Sequence, residues 1–121
     1  MLEFAGAYNA LYHIRDGELT VTKGDKFPVG IFVGEKMKKF TNHQVKVEKG
    51  DVIYIASDGY ADQFGGPKGK KFKYQQFQNL LINIHKEGMD KQFDALNKTI
   101  SDWMGDQHEQ IDDILVMGIK I

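Results

Sequence analysis

The sequence predicts an α+β fold in which two helices cover one face of an antiparallel sheet. Short apolar segments with a two-residue period fill the chain up to about residue 56, which is typical of half-buried strands. The apolar period becomes helical from Phe72 to Met104, and an apolar segment begins again at Ile114. Strands followed by helices indicate the α+β class. A length of 121 residues, 41% of them hydrophobic, predicts one globular domain.

The first half of the chain predicts five strands before a central one. Asp16-Gly17 stands between two β-favouring segments and is a strong signal for a two-residue hairpin turn. Gly24–Gly34 contains three glycines and Pro28 and predicts an apolar loop that packs on the body of the domain. The expected strands are Leu2–Ala7, Ala10–Arg15, Glu18–Lys23, Lys36–Phe40 and Gln44–Glu48.

The central strand is predicted within DVIYIASDGYAD, residues 51–62. Its β-forming residues, Val52 to Ile55, follow Lys49-Gly50 and are ended by Ser57-Asp58-Gly59. A carboxylate at the end of a buried strand is held rigidly and can face an opening. Gly59 lets the backbone turn sharply beside it. Asp58 is therefore either a metal ligand or part of a plain turn.

Two helices and a closing strand are predicted after this segment. Gln63–Lys71 is basic and rich in glycine, and predicts a flexible loop. A closing strand, Ile114–Ile121, is expected to return beside the central strand as its antiparallel neighbour. The side chains expected to face inward from the first helix are Phe72, Phe77, Leu80, Leu81 and Ile84. The second helix is expected at Asp90–Met104, and its inward side chains are Phe93, Leu96, Ile100, Trp103 and Met104.

This pairing predicts a cluster of carboxylates at one edge of the sheet. Asp58 ends the central strand, and Asp112 and Asp113 precede the closing one, so the three residues are expected at the same edge. Carboxylates in such a position are suitable ligands for Mg²⁺ or Mn²⁺, which could activate water and neutralise phosphoryl charge. The alternative is that Asp112-Asp113 is only a polar link.

Composition excludes several other functions. The net charge of −1 creates no strong field for nucleic acid or an anionic membrane. The absence of cysteine removes disulfides and thiolate chemistry, and is compatible with a cytoplasmic protein. No apolar run approaches the about 20 residues that span a bilayer, and the N-terminal segment does not have the pattern of a signal peptide. His13, His43, His85 and His108 lack metal-ligand spacing and are expected at ordinary surface or strand positions.

Four segments together resemble the metal-dependent protein serine/threonine phosphatases, the PPM family, in the bacterial branch typified by stage II sporulation protein E. SDGYADQF resembles the aspartate-glycine element of that branch, and DDILVMGIKI resembles its closing strand. AGAYNALYHIRDGEL is similar to its hairpin, and FPVGIF to its proline-glycine loop. The order and spacing of the segments also match, and they extend over nearly the whole chain.

The resemblance implies hydrolysis of phosphoserine or phosphothreonine on a partner protein, by water bound to two Mn²⁺ or Mg²⁺ ions. Asp58 matches a metal-binding aspartate of the family. Asp112 matches the aspartate of the closing motif better than Asp113 does. Gly59 matches a structural glycine at the site.

The departures from the family pattern imply an incomplete domain. The first half of the family's domain, with an aspartate that bridges both metals, has no counterpart in residues 1–121. The chain therefore looks like the C-terminal half of an α-β-β-α sandwich, either an excised fragment or a truncated product. Leu115 stands where the family often has Thr, and Tyr8-Asn9-Ala10 where it often has His-Asn-Pro. On this reading the chain alone is a weak or inactive catalyst.

The lysines after the aspartate-glycine element have two interpretations. Lys68, Lys70 and Lys71 either belong to a solvated loop or form a flap that holds an anionic phosphopeptide. Two other functional classes also remain. The chain could be a non-catalytic regulatory or protein-binding module, or a structural fragment that dimerises to cover an exposed sheet. A half-sandwich exposes an apolar face, so a homo-oligomer is expected.

Overall fold

The computed structural model describes residues 1–30 and 39–121, and the α+β prediction is confirmed. Its main sheet has four antiparallel strands in the order β3-β2-β5-β8. The strands of this sheet are β2 (Leu11–Arg15), β3 (Glu18–Thr22), β5 (Val52–Ala56) and β8 (Val116–Lys120). The remaining strands are β1 (Leu2–Phe4), β4 (His43–Val45), β6 (Phe64–Gly65) and β7 (Lys70–Lys71). The helices are α1 (Gly59–Asp62), α2 (Tyr74–Ile84) and α3 (Met89–Met104).

The predicted hairpin is confirmed. Strands β2 and β3 pair from Leu11↔Thr22 to Arg15↔Glu18. Both turn residues adopt positive φ angles, 49° at Asp16 and 82° at Gly17, as a two-residue turn with a right-handed strand twist requires.

The predicted return of the closing strand beside the central one is also confirmed. Strand β8 pairs with β5 in antiparallel fashion from Val52↔Lys120 to Ala56↔Val116. The ladder begins at Val116, two residues later than the predicted Ile114. The chain thus closes its sheet after the intervening helices α1, α2 and α3, and β8 forms an edge of that sheet.

An aromatic cluster joins the sheet to both long helices. The ring of Tyr12 meets that of Phe77 edge-on at 5.8 Å, and Phe77 contacts Tyr60 at 5.0 Å. Phe72 links Tyr60 to Trp103, with centroid distances of 5.5 Å on each side. Edge-to-face pairs add to the free energy gained from burying these large side chains. Trp103 packs against the core, as predicted.

The inward face of α3 differs from the prediction at one turn. Phe93 is 67% exposed, whereas its neighbour Gln92 is buried. The Gln92 side chain accepts a hydrogen bond from the Tyr54 hydroxyl at 2.5 Å and donates to the carbonyls of His85 and Glu87. Burial raises the pKa of Tyr54 to about 12, so this hydroxyl remains a donor. The buried Tyr54 hydroxyl needs a hydrogen-bond partner. This need places Gln92 in the interior at this turn, and the apolar side chain of Phe93 lies outside.

Several other predictions need correction. The irregular loop predicted at Gln63–Lys71 contains the paired strands β6 and β7. The strand expected at Leu2–Ala7 ends at Phe4, and the one expected at Gln44–Glu48 is His43–Val45; these two pair as β1 and β4 in a separate small sheet. The strand predicted at Lys36–Phe40 and the end of the Gly24–Gly34 loop lie largely outside the described residues. Residues 39 and 40 belong to no strand.

The face of the sheet away from α2 and α3 is apolar and only partly covered. Leu11 and Ile53 are buried there, and β1 lies over part of this face. Near the edge strand β8 the apolar side chains are exposed, with Met117 at 47% and Ile119 at 48%. We call this patch the open apolar face; its members are Ile55, Leu115, Met117 and Ile119.

A buried carboxylate, that of Asp51, connects several segments at the end of the sheet opposite Asp58. Asp51 accepts hydrogen bonds from Arg15 Nε at 3.0 Å and Nη2 at 2.7 Å, and from the backbone amide of Glu48. His13 Nε2 lies 2.7 Å from Asp51 Oδ2. The bond from Arg15 is the main reason that the pKa of Asp51 lies well below its usual range. His13 is therefore on a strand, as expected, but it is buried in this cluster. His85 is also buried, contrary to a surface expectation.

None of the helices in residues 1–30 and 39–121 combines the length and apolar character that a bilayer crossing requires.

Substituting Asp51→Asn should lower the free energy of unfolding by about 1.5–3 kcal/mol at neutral pH, because hydrogen bonds to a charged group are lost. The lowered pKa means that this stabilisation is complete above about pH 4 and declines as pH falls further. The difference between the two proteins should therefore narrow between about pH 4 and pH 2 in urea titrations. Asp16→Asn, in the exposed hairpin turn, is the control and should change little. A difference that stays constant with pH would contradict the role of Asp51.

Candidate functional site

The ends of β5 and β8 are joined beyond their regular ladder. The amide of Ser57 donates to the Leu115 carbonyl at 2.9 Å, which extends the pairing by one step. The Ser57 hydroxyl donates to the Asp113 carbonyl at 2.8 Å and accepts from the Leu115 amide at 2.9 Å. These bonds hold the segment that carries Asp112 and Asp113 beside the end of β5. The predicted approach of the two acidic segments is thus present.

Gly59 allows the two segments to approach closely. Its Cα lies against the backbone carbonyl of Asp113, and a Cβ at this position would overlap that carbonyl. The residue is buried at the start of α1. The glycine is therefore required for contact between segments, beyond any role in turning the chain.

Asp58 is exposed and is held on one side. It occupies the N-cap position of α1, and its Oδ1 accepts a hydrogen bond from the Tyr74 hydroxyl at 2.6 Å. Burial, followed by the bond to Asp58, raises the pKa of Tyr74. Tyr74 therefore stays protonated and remains a donor at neutral pH. This contact orients the Asp58 carboxylate and occupies one of its two oxygens.

Asp112 and Asp113 are both exposed but differ in what they contact. Asp112 Oδ1 accepts a hydrogen bond from the Asp113 amide at 2.7 Å, so part of this carboxylate is used locally. Asp113 contributes its backbone carbonyl to Ser57 and Gly59. Across the described ranges, no three His, Cys, Asp or Glu side chains form a group that could hold a metal ion. Carboxylates are the kind of ligand that a hard divalent cation takes.

The lysines lie on an anchored hairpin. Lys70 and Lys71 form β7, which pairs with β6, and both are exposed. Lys71 Nζ lies 3.6 Å from Asp62 Oδ1 and 5.9 Å from the centroid of the Phe64 ring. Lys68 lies in the turn of the same hairpin and is also exposed.

The glycines of this hairpin allow close packing against Trp103. The Gly66 amide donates to the Trp103 carbonyl at 2.8 Å, and Trp103 Nε1 donates to the Gln63 carbonyl at 2.9 Å. A side chain at Gly65 or Gly66 would collide with Trp103. The glycines of this hairpin therefore allow a tight contact with Trp103, whereas the composition alone predicts a flexible loop.

Two residues of the site were missed by the sequence interpretation. The sequence predicts Ser57 only as part of the end of a strand, and no motif singles out Tyr74. A serine directly before an Asp-Gly pair is a weak signal for local hydrogen bonding. No local signal in the sequence indicates that Tyr74 reaches Asp58, because the two residues meet only when α2 packs on the sheet.

Comparison with protein families agrees with this architecture. Residues 2–121 match the family described as Stage II sporulation protein E (SpoIIE). The chain belongs to this family, a branch of the PP2C-type (PPM) phosphatases, as the resemblance implied.

Among solved structures, the chain is similar to the SiaA-PP2C domain of Pseudomonas aeruginosa, with 29% identity and a TM-score of 0.85. The match covers 98% of this chain and 45% of that one, so this chain spans about half the length of its structural relative. The search among curated proteins finds no match.

Proposed function

We propose that the chain is the C-terminal part of a metal-dependent protein serine/threonine phosphatase domain that acts on a phosphoprotein in cytoplasmic bacterial signalling. The main support is the position of Asp58 beside the segment of Asp112 and Asp113, joined through Ser57 and Gly59. Membership of the SpoIIE family adds to this support.

In this proposal Asp58 and Asp112 would hold Mn²⁺ or Mg²⁺, with Asp113 as the less favoured ligand. When bound, such an ion lowers the pKa of water and neutralises phosphoryl charge. The Tyr74 hydroxyl donates to Oδ1 of Asp58, so Oδ2 is the oxygen that would bind the cation. Gly59 keeps the Asp113 backbone close to the segment that carries Asp58.

The chain alone is expected to bind metal weakly and to catalyse poorly. The complete family site uses two ions, whereas the described residues offer no group of three candidate ligands. The share of the SiaA-PP2C domain that this chain matches, 45%, agrees with part of a larger domain.

Calorimetric titration with Mn²⁺ tests the metal site. Asp58→Asn should weaken Mn²⁺ binding about tenfold or more, because it removes a charged ligand while preserving the side chain's shape. Asp16→Asn makes the same change at the opposite end of the sheet and should leave the affinity unchanged. Equal affinity in all three proteins would refute Asp58 as a ligand. Rapid hydrolysis of p-nitrophenyl phosphate by the unaltered chain would refute the proposal that the site is incomplete.

We also propose that Lys68, Lys70 and Lys71 attract the phosphorylated segment of the substrate. Their hairpin is next to α1, since Lys71 approaches Asp62. Exposed lysines on an anchored hairpin provide positive charge in a fixed place, although each exposed ion pair contributes little.

Reversing the charge in a Lys70→Glu, Lys71→Glu variant should weaken binding of a phosphoserine peptide about three- to tenfold at low salt. Fluorescence anisotropy with phosphorylated and unphosphorylated forms of one peptide measures this effect, which should shrink in high salt. The control is Lys46→Glu, Lys49→Glu, which changes the net charge equally at the Arg15 end of the sheet. An equal loss in the control would show a general charge effect and no binding role for the hairpin.

A second candidate function is that of a regulatory module that self-associates. The open apolar face favours it, since its four apolar side chains are 40–61% exposed. A second copy that packs sheet on sheet would remove this surface from water.

Light scattering at micromolar concentration should give the mass of a dimer, and Met117→Gln, Ile119→Gln should shift it towards the monomer. Phe93→Gln removes a large exposed apolar side chain from α3 and is the matched control. A monomeric mass for the unaltered chain would refute this homo-oligomer.

A further inference from the structure

The Ser57 side chain connects the two acidic segments. The last regular pair between β5 and β8 is Ala56↔Val116, so Ser57 and Leu115 lie just beyond the ladder. We propose that the Ser57 hydroxyl is a positioning group that sets the distance between Asp58 and the Asp112-Asp113 segment. This inference rests on the proposed function, because its consequence is the geometry of the metal ligands.

The hydrogen bonds of Ser57 replace part of a ladder. Its hydroxyl donates to the Asp113 carbonyl and accepts from the Leu115 amide, so one side chain satisfies two backbone groups of the segment just before β8. Both bonds lie in an exposed part of the structure. If the hydroxyl is removed, water can satisfy the same groups, and the segments lose a link without losing the fold.

The carbonyl that Ser57 holds is the one against which Gly59 packs. Asp58 lies between Ser57 and Gly59 in the chain and is itself oriented by Tyr74. Asp113 is therefore contacted on one side of Asp58 by the Ser57 side chain and on the other by the Gly59 backbone. Because of these contacts, a shift of the Asp113 backbone is transmitted directly to Asp58.

Only serine and threonine carry a hydroxyl on Cβ, which can both donate and accept at this distance from the backbone. Ser57→Ala removes both bonds, whereas Ser57→Thr keeps the hydroxyl. The pair of variants therefore separates the hydroxyl from the volume of the side chain. Ser101, which is exposed on α3, offers the matched control Ser101→Ala.

The experiment combines Mn²⁺ calorimetry with amide hydrogen exchange measured by NMR. Ser57→Ala should speed exchange of the Leu115 amide about five- to tenfold and weaken Mn²⁺ binding about tenfold. Ser57→Thr should restore both values to within about threefold, and Ser101→Ala should change neither. A purely structural role would alter exchange at Leu115 but leave the Mn²⁺ affinity unchanged.

The outcomes separate this inference from the proposed function. If Asp58→Asn weakens Mn²⁺ binding but Ser57→Ala does not, the metal site stands and the role of Ser57 is refuted. Unchanged Leu115 exchange in Ser57→Ala also refutes it. If the unaltered chain binds no Mn²⁺, the proposed metal site fails, and the positioning role fails with it.

Discussion

The pairing of β5 with β8 is the constraint on which the rest of the structure depends. The two strands are separated in the chain by α1, α2 and α3, yet they meet in register from Val52↔Lys120 to Ala56↔Val116. Since strand pairing must keep each apolar side chain on its proper face, a shift by one residue would reverse the whole of β8. The core residues of α2 and α3 pack against Tyr12, Ile14, Val52 and Tyr54 of the sheet. The same register places the two acidic segments at the same end of the sheet, opposite the end that carries Asp51.

Buried polar groups determine details that apolar patterning does not. Tyr54 turns Gln92 inward and leaves Phe93 exposed, because the buried hydroxyl requires an acceptor. At the other end of the sheet, Asp51 joins β2 to the start of β5 through Arg15 and His13. These contacts link distant segments, and they limit how the helices and strands can be placed relative to one another.

The candidate site is held together by a small set of specific contacts. Ser57, Gly59 and Tyr74 hold Asp58 and the Asp113 backbone in place. The chain belongs to the SpoIIE family and its match covers 45% of the SiaA-PP2C chain, which fits a part of a larger domain. The open apolar face would be covered by a second surface, and the proposed homo-oligomer is one arrangement that would supply it.

The sequence by itself determined the α+β class, the Asp16-Gly17 hairpin, the long helices and the meeting of two acidic segments. The fold class, the hairpin and the helices depend on local periodicity and turn residues, which are visible within short windows. The meeting of the acidic segments follows from the expected antiparallel pairing of two strongly apolar strands. Only the tertiary structure decided that Tyr74 reaches Asp58, that Gln92 replaces Phe93 in the interior, and that the glycines beside Trp103 form a packed hairpin. Each of these outcomes depends on a contact between residues distant in sequence, and no local pattern records which partner a side chain will meet.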